Sequence, residues 1–104
     1  NDPGVVATAE KALKVAFGDK LRQTPANTTS EDFSEFAGAG VPSMMFNIGV
    51  YDPKQWAAAN KDGKPLAGNH SPQFAPVPKP TLQTGITAMT LAVLSAFDQH
   101  ARGK

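Results

Sequence analysis

The chain contains no cysteine, which excludes disulfides, thiolate zinc sites and a cysteine nucleophile. A cysteine-free chain is compatible with cytoplasm or periplasm alike. Charge of either sign is not in excess: ten basic and nine acidic residues give a net charge of +1. That balance carries no electrostatic footprint for nucleic acid or an anionic membrane, and neither is expected as a partner. No apolar run is long enough to span a bilayer; the longest stretches lie near the C-terminal end and are broken by Thr and Ser. There is no phosphate-binding glycine motif, no nucleophile elbow and no paired-cysteine metal motif. Histidine occurs only twice, at 70 and 100.

The 104 residues suffice for one modest domain, and so short a chain buries a small share of its surface unless it packs on something else. Asp2-Pro3 opens a helix, with a carboxylate cap and proline at the first helical position. Val6, Ala9, Leu13 and Ala16 or Phe17 recur at helical spacing, and Gly18 stops the pattern, so a helix is predicted over residues 3–17. A chain that begins on a helix-start signal reads equally as trimmed or as starting at a natural domain edge.

Lys20 to Thr24 is a weak strand signal, and Pro25 to Thr29 reads as loop. Thr29 and Ser30 precede Glu31, Asp32, Phe33, Ser34, Glu35 and Phe36. Hydroxyl caps followed by acids predict a helix start, because carboxylates there complement the helix dipole. Gly38 and Gly40 should end that helix early. Ser43 to Val50 is mostly apolar on both faces, which suits a buried strand. From Tyr51 to Lys79 prolines and glycines predict a long loop, with a short helix from Asp52-Pro53 through Ala59 carrying Trp56 on its inner side. Thr81 through His100 is the longest predicted helix. Its stripe of Leu82, Ile86, Met89, Val93 and Phe97 reads most simply as core.

The order is helix, strand, helix, strand, long loop, helix, which predicts an α/β architecture. Two strands cannot make a free-standing sheet covered on both faces. The strand centred on Phe46 therefore expects neighbours from elsewhere, and the chain is expected to be part of a larger sheet.

Three features could carry chemistry. Glu31 and Asp32 are adjacent carboxylates at a helix start, where capping is the ordinary role. Asn69-His70-Ser71-Pro72 places a histidine in a loop after the apolar strand, a position where α/β proteins hold ligands; a hydrogen-bonded surface histidine is the plainer reading. His100 lies near a helix C-terminus, where a partly charged imidazole suits the dipole, and it receives no function. One histidine and two acids fall short of the three or four ligands a zinc site needs.

The motifs Ser30-Glu31-Asp32-Phe33-Ser34, Gly40-Val41-Pro42, Phe46-Asn47-Ile48-Gly49 and Asn69-His70-Ser71-Pro72-Gln73-Phe74 occur in that order, followed by the apolar helix. Together, over essentially the whole chain, they resemble the C-terminal part of the metal-dependent amidohydrolases and peptidases related to aminoacylase, hippurate hydrolase, plant auxin-conjugate hydrolases and carboxypeptidase G. The resemblance implies a partial three-layer zinc-peptidase domain over residues 1–104. The lid or dimerisation domain and the N-terminal catalytic half would lie outside it, and the resemblance is compatible with a homodimeric parent.

Carried over residue by residue, the resemblance makes His70 a metal ligand, with Ser30, Glu31, Asp32 and Asn69 supporting the site. It implies one or two divalent ions, zinc first, with manganese, cobalt or nickel as alternatives. The substrate would be an N-acyl amino acid or small peptide. No catalytic group is expected in this segment, because the water-activating glutamate comes from earlier parts of such chains. The stretch from Tyr51 to Gly68 is longer than the family's typical spacing, and could be a flap, a subunit contact or a surface loop. Extended loops of that kind are commoner in exported bacterial members, which turns the expected compartment toward the periplasm. A different class of reading makes the chain a self-contained small domain that binds a partner through the Trp56 loop and the last helix's stripe.

Overall fold

The computed structural model describes residues 1–25 and 31–102. Among the described residues there are four α-helices: α1 (Pro3–Phe17), α2 (Ser34–Gly38), α3 (Pro53–Asp62) and α4 (Pro78–Arg102). A single 3-10 turn, Gly18–Lys20, follows α1. The local chemistry of α1 is as the sequence predicts. Asp2 accepts from the Val5 N–H at 2.9 Å, and the Gly18 N–H closes the helix on the Lys14 carbonyl. Gly18 does so at φ 53, ψ −128, a conformation open to glycine and strained for any residue with a Cβ. Asp52 and Pro53 start α3 in the same way, and Gly63 ends it in the left-handed conformation at φ 64, ψ 20.

The expected α/β class is not what forms. Among the described residues there is no strand. The weak strand over Lys20 to Thr24 is replaced at its start by the 3-10 turn, whose Gly18 carbonyl accepts from the Leu21 N–H at 3.1 Å. The segment from Ser43 to Val50 joins no ladder. From Met44 to Val50 its residues nonetheless alternate between half-buried and exposed, the period of an extended chain. One edge is met by a side chain in place of a strand. The Asn1 carboxamide donates to the Met45 carbonyl at 2.9 Å and accepts from the Met45 N–H at 2.8 Å. The Asp2 N–H donates to the Ser43 carbonyl at 2.7 Å. The segment is apolar at alternate positions, but a strand needs a second strand, and none of the described residues supplies one.

The chain divides into two units, residues 1–46 with 87–104, and residues 47–86. In the first, Ala9 and Leu13 of α1 and Ala88 of α4 are the buried apolar residues, with Phe17, Leu21, Met44, Phe46, Leu91 and Ala92 packed partly against them. The Thr8 hydroxyl donates to the Gln99 side-chain oxygen at 2.9 Å, tying α1 to the last turns of α4. In the second unit, the loop after α3 and the first turns of α4 meet Ile48 to Tyr51. The Val77 N–H donates to the Val50 carbonyl at 2.8 Å, and Gly85 lies so close to Ile48 that a Cβ there would stand 3.2 Å from Ile48 Cδ1.

Helix α4 departs from expectation in which face it buries. The stripe expected to be core is open: Leu82 is 63% exposed, Ile86 67%, Met89 57%, Val93 44% and Phe97 68%. The packed face instead carries mostly small residues, Gly85, Ala88, Ala92 and Ser95, with Leu91 as its one large member. At 3.6 residues per turn the two faces lie about 140° apart around the axis. Small residues let α1 and the neighbouring apolar segment come close, while the large stripe stays mostly open among the described residues, Met89 and Val93 being only flanked by Val5, Met44 and Phe46. A helix apolar on both sides is a helix built to be surrounded. Trp56, expected on the inner side of α3, is also exposed, at 57%.

Candidate functional site

The second unit builds one well-defined loop around the predicted histidine. Gly68 to Ser71 forms a β-turn in which the Gly68 carbonyl accepts from the Ser71 N–H at 3.2 Å. Its third residue is His70, at φ 68, the one positive φ outside glycine among the described residues. A turn with positive φ at the third position and not at the second is type II, where glycine or asparagine is the favoured occupant. Here asparagine stands one place earlier and histidine takes the strained position. Left-handed backbone costs a residue with a Cβ about 1–2 kcal/mol.

The turn is held from both sides. Ser71 Oγ accepts from the Gln73 N–H at 3.2 Å, and the Ser71 carbonyl accepts from the Phe74 N–H at 3.0 Å. The Phe74 ring meets Tyr51 edge-on, with centroids 6.2 Å apart and planes at 82°. The Tyr51 hydroxyl donates to the Ala67 carbonyl, the residue just before the turn. Tyr51 and Phe74 are half-buried, whereas Asn69 and His70 are exposed. The loop therefore has an aromatic base and a polar tip, and the tip is the imidazole.

Tyr51 is the residue that sequence reasoning did not assign. Its signal was its place: an aromatic at the end of an apolar run, with a second aromatic just past the histidine motif. Phe74 lay inside the motif without a role, and its contact with Tyr51 now supplies one.

The acidic motif lies in the other unit. Glu31 and Asp32 are exposed. They precede α2, which begins at Ser34, later than the cap signal suggested. The entry is a tight turn in which the Glu31 and Asp32 carbonyls accept from the Ser34 and Glu35 N–H groups at 3.1 and 3.0 Å. Phe33 and Phe36 pack with ring centroids 5.3 Å apart, at a tilt of 56°. Ser30, the expected cap and site-supporting residue, lies outside the described residues. Gly38 is the last helical residue, and Gly40, at φ 79, turns the chain away, as expected.

No group of three or more His, Asp or Glu side chains that could hold a metal ion occurs among the described residues. His70 is exposed on its hydrogen-bonded turn. His100, on the last turns of α4, is exposed. Comparison with protein-family models, with curated proteins and with solved structures returned no match.

Proposed function

We propose that this chain contributes the late metal-binding histidine of a metal-dependent amidohydrolase acting on N-acyl amino acids or small peptides. The observation that carries the reading is His70: an exposed imidazole held in a strained turn position that glycine would fill at lower cost. Strain of this kind persists where surrounding structure over-determines it, and it clusters at functional sites. The ordered Ser-Glu-Asp-Phe, Phe-Asn-Ile-Gly and Asn-His-Ser-Pro motifs support the reading. So does the open apolar face of α4, which the remainder of such an enzyme would cover.

In this reading His70 offers a ring nitrogen to the ion, and Asn69 and Ser71 fix the turn that aims it. A bound divalent ion, zinc first and manganese, cobalt or nickel otherwise, would polarise the amide carbonyl and lower the pKa of its water. Glu31 and Asp32 are assigned to orienting the site. The proton-shuttling group lies outside the 104 residues, so the chain alone is expected to be inactive. The test is N-acyl amino acid hydrolysis by the polypeptide that the complete reading frame encodes. Metal-dependent turnover that His70→Ala abolishes supports the reading; no turnover on any acyl amino acid or peptide tried, with metal supplied, counts against it.

One observation favours a second reading. The exposed stripe of α4 and the exposed Trp56 are also what a small partner-binding domain would present. The two part at the reading frame. A start codon close to Asn1 would favour the binding domain, and an open frame running on with further histidine and acidic motifs would favour the hydrolase.

A further inference from the structure

We draw no further inference here: the strongest candidate, the exposed apolar face of α4 that carries Met89, Val93 and Phe97 in the first unit, has nothing in the structure to show what covers it.

Discussion

Replacing Ile86 with lysine should leave the stability of the 104-residue chain nearly unchanged, although Ile86 belongs to the most regular apolar stripe in the sequence. The magnitude follows from its exposure of 67%. Full burial of such a side chain stabilises by about 1.5–3 kcal/mol, so the third that is covered contributes about 0.5–1 kcal/mol. Lysine keeps part of that through its methylene stem, and it is a better helix former by a few tenths of a kcal/mol. The net change should fall within about 0.5 kcal/mol. Leu13, 5% exposed in the small core with Ala9 and Ala88, is the matched control. Leu13→Ala should cost about 2–4 kcal/mol, a large part of what so small a core can provide. Urea unfolding followed by far-ultraviolet circular dichroism reads both variants against the parent chain. A loss for Ile86→Lys as large as that for Leu13→Ala would mean that the stripe is the buried face, and the assignment of α4's two faces would be wrong.

Other outcomes follow from the same geometry. His70→Gly should be more stable than His70→Ala by about 0.5–1 kcal/mol, since glycine escapes the left-handed penalty but loses more backbone entropy. Equal melting of the two would deny the positive φ at residue 70. Tyr51→Phe removes the hydroxyl that donates to Ala67 and should cost about 0.5–1.5 kcal/mol, with the amide resonances of Gly68 to Ser71 shifting most. Shifts confined to Tyr51's own neighbours in sequence would sever it from the turn. Gly18→Ala puts a Cβ at φ 53, ψ −128 and should cost about 1–3 kcal/mol in thermal melting. A neutral result would mean that the end of α1 is not built as described.

What could be read from the sequence was what neighbouring residues decide among themselves. Asp2-Pro3 with Gly18 bounded α1, and Asp52-Pro53 opened α3, because a cap and a proline act within a few residues. The helix over α2 began later than its acids suggested, since Glu31 and Asp32 were used as turn carbonyls. Whether an apolar run becomes a strand depends on a second strand, which no pattern within Ser43 to Val50 can report. There the Asn1 carboxamide took one edge. The face choice of α4 was illegible for a related reason. Size of side chain marked Leu82 to Phe97 as core, yet contact within this chain is decided by how closely Gly85, Ala88 and Ala92 let their neighbours approach. At the candidate site the histidine was visible as a residue type. Its strained turn and its aromatic base were not, because Tyr51 and Phe74 are distant in sequence and meet only in the fold.

If His70 is a metal ligand, its loss should show in metal stoichiometry. The polypeptide encoded by the complete reading frame would be purified as wild type and as His70→Ala, each loaded with zinc, dialysed and measured by elemental mass spectrometry, with circular dichroism to check folding. The folded His70→Ala variant should lose at least one equivalent of bound ion. Full occupancy in that variant, or a wild-type protein that retains no ion after loading, would contradict it.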